Sequence, residues 1–256
     1  MIAVDTESNI YNKGAPFDSR GKLVCYSVAT TDHNAAYQWN ELAAEDLQNR
    51  ISQSKLVIGF NFKHDYHWLF NHGVSFDNVA IWDVQIAEYI LSNFTNKFPS
   101  LDKTCERYNI TQKIDVVKTE YWEKGIQTED IPWHILQEYA AHDAKITLDC
   151  FFAQRKLMTA QQVRLCQLMC MDMHVLREME WNGIRFDEQL CKERAEEIDN
   201  KIQAIKAKLA AIYPKVPINF GSNDHLSAFY RDWETDRKST RLNSSHLKLS
   251  RMPSSA

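Results

Sequence analysis

The chain has 256 residues, 44% of them hydrophobic and 25% charged, with a formal net charge of −4 at pH 7. That length and apolar content suffice for one large domain or two smaller ones, while apolar runs such as Leu56 to Phe60 and Phe151 to Ala153 fall far short of a membrane span of roughly 20 residues. Residues 231 to 256 hold six basic against three acidic side chains, so the rest is more acidic than the total; this excludes a broad basic groove that binds nucleic acid by counterion release alone, but not a carboxylate site that meets phosphates through metal ions.

Met1 leads directly into Ile2-Ala3-Val4 without a basic segment or a long apolar segment, so a cytoplasmic protein is expected. The first 160 residues read as α/β, with strands expected at Ile2 to Asp5, Leu23 to Ala29, Ala36 to Trp39 and Leu56 to Phe60. The turn-rich stretch Asn12 to Lys22 joins the first two strands, a spacing that suits antiparallel neighbours. From about Asp83 the pattern turns helical: Val84 to Leu91, Leu101 to Tyr108, then Trp133 to Met158 with Pro132 near its first turn. Residues 109 to 131 form a polar connection. Beyond residue 158, Gln162 to Trp181 and Gln189 to Tyr213 are amphipathic helical patterns separated by the breaker Asn182-Gly183, as in a helical hairpin.

Residues 231 to 256 lose all hydrophobic periodicity and are expected to be disordered. Their core, Asp236 to His246, resembles a translated sequencing adapter and carries no fold information. The six cysteines lack a CxxC pair and are expected to be reduced and partly buried. His64 and His67 have no matching pair at zinc-ligand spacing, which makes helix-surface histidines the expectation.

Three short patterns carry chemistry. Asp5-Thr6-Glu7 ends the first strand, where residues two apart share a face, so two carboxylates stand side by side and repel unless a cation separates them. Asn61-Phe62-Lys63-His64-Asp65 follows the apolar strand; Asn61 is expected to cap a helix that stops at Gly73, with Asp65 one turn in on the same face. Tyr139-Ala140-Ala141-His142-Asp143 puts Tyr139 and Asp143 on one helix face, with two small residues that allow close packing. Each pattern alone has an ordinary structural explanation: an exposed strand end, a helix-dipole aspartate, a core tyrosine beside a surface aspartate. Their order and flanking elements point to a single site.

Asp-x-Glu, then Asn-x-x-x-Asp, then Tyr-x-x-x-Asp resembles the tyrosine-bearing subgroup of the DEDD exonuclease superfamily over residues 1 to 158. The resemblance implies a ribonuclease H-like exonuclease fold, a mixed central sheet with flanking helices, followed here by the hairpin and the tail. It implies that Asp5, Glu7, Asp65 and Asp143 bind two divalent cations, Mg²⁺ or Mn²⁺, with Asp5 between them. It further implies that Tyr139 orients the attacking water and that Asn61 touches substrate. Trp82-Asp83-Val84 through Leu91 looks like the family's next helix, with Asp83 as its N-cap rather than a metal ligand. His64 stands where the family usually has Tyr or Phe.

Residues 1 to 158 do not choose between DNA and RNA, because ribonuclease D-like relatives share the motifs. Leu176 to Asp187 and Ile218 to Leu226 look like the start of the thumb of family A DNA polymerases, with palm and fingers absent from the chain. The expected function is therefore proofreading 3′-5′ hydrolysis of a single-stranded or frayed DNA end by a monomer, with replication proteins as partners and no membrane. A stand-alone ribonuclease D-like exonuclease and an inactive nucleic-acid-binding scaffold are the alternatives.

Overall fold

The computed structural model describes residues 1–96, 99–111, 114–212, 219 and 221–227. The adapter-like tail lies outside the described residues, as do Ile218 and Phe220 of the thumb-like stretch. Contacts divide the chain into two compact units, Met1–Gly183 and Ile184–Ala256.

The first unit is built on five strands: β1 (Ile2–Ser8), β2 (Leu23–Ala29), β3 (Asn34–Gln38), β4 (Leu56–Gly59) and β5 (Ala80–Asp83). Their order is β3-β2-β1-β4-β5, antiparallel from β1 through β3 and parallel among β1, β4 and β5. β1 is central because Ile2, Ala3 and Val4 are buried on both faces, whereas its last residues are polar. β4 is a short apolar run, as expected of a parallel strand covered on both faces. The parallel strands bring the C-terminal ends of β1, β4 and β5 to one edge, where open α/β sheets place their ligands.

The helices that surround or follow the sheet include α1 (Ala43–Ser52), α2 (Lys63–Asn71), α3 (Val84–Leu91), α4 (Leu101–Arg107), α5 (Val116–Glu120), α6 (Trp133–Leu157), α7 (Ala160–Asn182) and α8 (Glu188–Ile212). α6 covers β1, β2 and β3 through a stripe at three- and four-residue spacing that includes Leu136, Ala140, Ala144 and Thr147. α7 starts in a capping box between Thr159 and Gln162 and ends at Gly183, which takes the positive φ (+64°) that a side chain resists. It packs on β5, α3 and α2, so the helix expected to open a following region belongs to the first unit.

The contact of α7 with α2 corrects one expectation. His67 is buried, not on the surface, and its Nε2 lies 2.8 Å from Glu180 of α7, which also pairs with Lys63. The Tyr66 hydroxyl meets His174 Nδ1 at 2.8 Å, and the Arg177 guanidinium lies 3.7 Å from the Phe70 ring centroid. These partners sit far along the sequence, so the spacing of His64 and His67 alone could not reveal them.

Asp83 caps α3 as expected, accepting from Gln85 N at 2.7 Å and Ile86 N at 3.3 Å. It also accepts from Asn61 N at 3.2 Å and Phe62 N at 2.8 Å, tying the β4–α2 junction to the β5–α3 junction. Burial pushes its carboxyl pKa up, and the four backbone N–H groups pull against that shift. In the second unit, Asp187 accepts from Leu190 N at 2.9 Å and ion pairs such as Lys201 with Glu197 run along α8. Replacing Asp83 with Ala strands four backbone donors and should cost about 2 to 4 kcal/mol, with Asp83→Asn between the two. Urea denaturation followed by tryptophan fluorescence checks this, and coincident midpoints for wild type and Asp83→Ala would show that the four bonds do not support the fold.

Candidate active site

At the C-terminal end of β1, Asp5 and Glu7 project from one face by the two-residue period of a strand. They face the buried side of α6, whose 3.6-residue period brings Tyr139 and Asp143 together one turn apart. Ligand oxygens of Asp5, Glu7 and Asp143 all lie within 4.8 Å of one another. The field of this cluster reaches its neighbours. Cys25, paired with Glu7 across β1 and β2, has its thiol pKa pushed well up by burial and then by the Glu7 and Asp5 carboxylates. Tyr139 is also pushed upward, first by burial, then by Glu7, Asp143 and Asp5 and by its hydrogen bond to Asp143.

Asp65 reaches the same cavity from α2 but stands outside that group of three. Its Oδ1 accepts from the Thr6 backbone N at 3.0 Å and from the Thr6 hydroxyl at 2.5 Å. Burial pushes the Asp65 pKa up to about 7 even though the bonds from Thr6 oppose the shift. Asn61 does not cap α2. The helix has no side-chain cap, and Asn61 instead takes a left-handed φ of 53° with its backbone N–H on Asp83. The cause lies in Gly59, where any Cβ would overlap the Phe62 ring; the chain turns so tightly there that Phe62 is drawn into the core. Asn61 is exposed and still borders the cavity.

The six residues expected from sequence, Asp5, Glu7, Asn61, Asp65, Tyr139 and Asp143, all border one cavity of about 550 Å³. Sequence reasoning overlooked Thr6, Lys13 and Trp122, which border it too. Trp122 stands edge-on to Tyr139, centroids 5.6 Å apart, and its Nε1 donates to Thr128 Oγ1 at 3.1 Å. The Thr128 hydroxyl in turn donates to Ser8 O at 2.6 Å, so the aromatic wall is fastened to the end of β1. Trp122 lies in the polar connection, where no periodicity marks it. Thr6 could have been found from its place inside the Asp5-Thr6-Glu7 triplet. His64 borders the cavity as well, and burial lowers its pKa, favouring the neutral ring.

The donor set is all carboxylate oxygen, which suits a hard divalent cation. One oxygen from each of Asp5, Glu7 and Asp143 lies within 4.8 Å of the others, close enough for the three carboxylates to share a cation. The residues present therefore fit a divalent metal.

The chain matches the family profile described as 3′-5′ exonuclease, of the DNA_pol_A_exo1 type, over residues 1–158. No curated protein matches it. Among solved structures it is similar to the POL domain of Pol1 from M. smegmatis in complex with DNA primer-template and dNTP, at 18% identity and a TM-score of 0.65, covering 90% of this chain and 36% of that one. It is also similar to Brucella melitensis NrnC with bound Mg²⁺ (16% identity, TM-score 0.53, 73% of this chain and 89% of that one). For NrnC bound to pGG the identity is 17% and the TM-score 0.53, covering 73% of this chain and 88% of that one. At such identities these likenesses establish a shared fold. With a central mixed sheet flanked by helices and a family match over most of its length, the chain belongs to the 3′-5′ exonuclease family of the DNA_pol_A_exo1 type, on a ribonuclease H-like fold.

Proposed function

We propose that this nuclease removes nucleotides from the 3′ end of DNA with two divalent cations, as the proofreading exonuclease of a family A DNA polymerase. The observation that carries the reading is the convergence of Asp5, Glu7 and Asp143 oxygens within 4.8 Å in a cavity that Asp65 and Tyr139 also border. The likeness to Pol1 covers 90% of the chain, reaching past the family match at residue 158, and favours DNA over RNA as substrate.

In this reading Asp5, Glu7, Asp65 and Asp143 hold two cations. Bound there, the cations supply charge neutralisation at the scissile phosphate and activation of water near neutral pH. The oxygen of a water attacks the terminal phosphorus in line, the bond to the upstream O3′ breaks, and that oxygen takes a proton. A nucleoside 5′-monophosphate and a strand shortened by one residue leave. Tyr139, whose pKa is raised by burial and the neighbouring carboxylates, keeps its proton at neutral pH. It therefore orients the attacking water by a hydrogen bond and does not act as a base. Trp122, braced edge-on against it, limits the directions the phenol can take. The Thr6 bonds fix Asp65 Oδ1, which restricts how that carboxylate can turn toward the cavity.

Two measurements test this. Mn²⁺ at about 100 times its Kd should stabilise the wild type by about 2.7 kcal/mol, a shift of several degrees in melting temperature. In EDTA the order should reverse, with Asp5→Asn melting at or above wild type because the crowding of like charges is relieved; if Mn²⁺ stabilises Asp5→Asn as much as wild type, the carboxylates do not hold the ion. In the activity assay, a 5′-labelled DNA with an unpaired 3′ end should shorten in Mg²⁺ or Mn²⁺. Asp5→Ala or Asp143→Ala should lower the rate by at least about a thousandfold, in line with loss of a main electrostatic contribution. Activity that survives excess EDTA and both substitutions would sink the mechanism, and preference for single-stranded RNA would favour the ribonuclease D-like reading.

A further inference from the structure

The turn after β1 holds the most unusual backbone near the cavity. In the single 3-10 turn Tyr11–Gly14, Asn12 (φ 47°, ψ 41°) and Lys13 (φ 60°, ψ 34°) are both left-handed, and Gly14 follows at φ +72°. A left-handed residue with a side chain costs conformational energy, persists only where its surroundings hold it, and recurs at functional sites. Here the surroundings do hold it. Ile10 N donates to Gln127 Oε1 at 3.0 Å, and Trp68 Nε1 donates to Gly14 O at 3.1 Å. Fully buried Asn9 clamps the far side of the loop, donating to Arg20 O at 3.0 Å and accepting from Lys22 N at 3.2 Å.

The turn presents Lys13 at the cavity, exposed to solvent. Among the described residues that border the cavity, Lys13 is the single lysine or arginine, against four carboxylates. A nucleic-acid strand entering here brings one negative charge per phosphate. Two cations would offset the four carboxylates at the scissile phosphate and leave the charge of the next phosphate along the strand unmet. The exposed ammonium group of Lys13 borders the cavity and can meet it, since lysine binds phosphate as a point charge without demanding one geometry.

We propose that Lys13 is a substrate-binding residue, which contacts the phosphodiester immediately upstream of the scissile one. The proposal rests on the reading of the cavity as a 3′-end nuclease site. It predicts a binding contribution that does not depend on base sequence, since the group recognised is the backbone.

The test uses the full chain in Mg²⁺ with 5′-labelled single-stranded DNA, comparing Lys13→Ala, Lys13→Gln and Lys13→Arg with wild type across a salt series. A second substrate carries a neutral methylphosphonate at the linkage upstream of the scissile one. Lys13→Ala and Lys13→Gln should raise KM about tenfold with kcat within about twofold, and flatten the log-log salt dependence by about 0.7, the value for one single-strand phosphate contact. Lys13→Arg should stay near wild type. The neutral linkage should raise the wild-type KM by a similar factor but add nothing to the Lys13→Ala defect. Melting temperatures measured alongside should stay close to wild type, which separates a binding loss from unfolding. Unchanged KM and salt slope in Lys13→Ala, or an equal penalty from the neutral linkage in both proteins, overturns the assignment. If wild type digests DNA and Asp143→Ala does not, those outcomes sink Lys13 alone; a wild type that neither digests nor binds 3′ ends sinks the nuclease reading and the assignment together.

Discussion

Crowding of negative charge at the end of β1 is the constraint around which the first unit is arranged. Asp5, Glu7 and Asp143 bring oxygens within 4.8 Å of one another, the first two half-buried and the third buried, and such charges repel more strongly there than they would on an open surface. A chain that held these groups together only for stability would gain by replacing one of them. The upward shifts of Cys25 and Tyr139 come first from burial and then from these same carboxylates. Strain of this kind is tolerable where a function needs it and the surrounding structure holds the groups in place.

The holding is done by secondary structure and by buried polar bonds. β1 lies in the middle of the sheet, held by β4 at Ile2 and Ala3, and Asp5 and Glu7 cannot retreat without breaking their pairs with Ser27 and Cys25 of β2. α6 fixes Tyr139 and Asp143 from a face that also buries Ala140 and Ala144 against the sheet. Asp65 rides on α2, and two separate devices fix that helix. Asp83 binds the backbone at its start, and Glu180 of α7 binds Lys63 and His67 on either side of Asp65. The second device lies beyond the 158 residues of the family match, so positioning of the site extends into the helix that follows.

Much of this could be read from sequence because it is local. β2 matches its expected span, and α3, α6, α7 and α8 match theirs to within a residue or two, since each of these helices carries a helical period in its apolar residues, which α3, α6 and α7 bury and α8 leaves exposed. β1 runs further than its apolar residues, to Ser8, because pairing with β2 continues under the acidic residues. β5 escaped notice: it has four residues and ends in the capping aspartate, too little for alternation to show. α1 has no side-chain cap, its N-cap being Leu42, and α5 has only five residues. Asn61 misled because a good capping residue can equally well tolerate the left-handed conformation that the tight turn before Phe62 requires. The burial of His67 depends on Glu180, a partner more than a hundred residues away, and no local pattern carries that information.

The triplet Asp5-Thr6-Glu7 shows how far one short segment can serve a site. Because a strand alternates its side chains, the two acids face α6 while the residue between them points the other way, toward α2. There the Thr6 hydroxyl and backbone N–H both bind Asp65 Oδ1. The strand thus supplies two carboxylates directly and fixes the third through its middle residue, so that α6 and α2 are registered against the same three residues of β1. A valine at position 6 would suit the strand equally well and would keep the backbone bond, but it would leave a buried Asp65 oxygen short of its closest donor. The middle residue is therefore constrained by the acid it holds and not by the strand it belongs to, which is why β-propensity alone gives no hint of its part in the site.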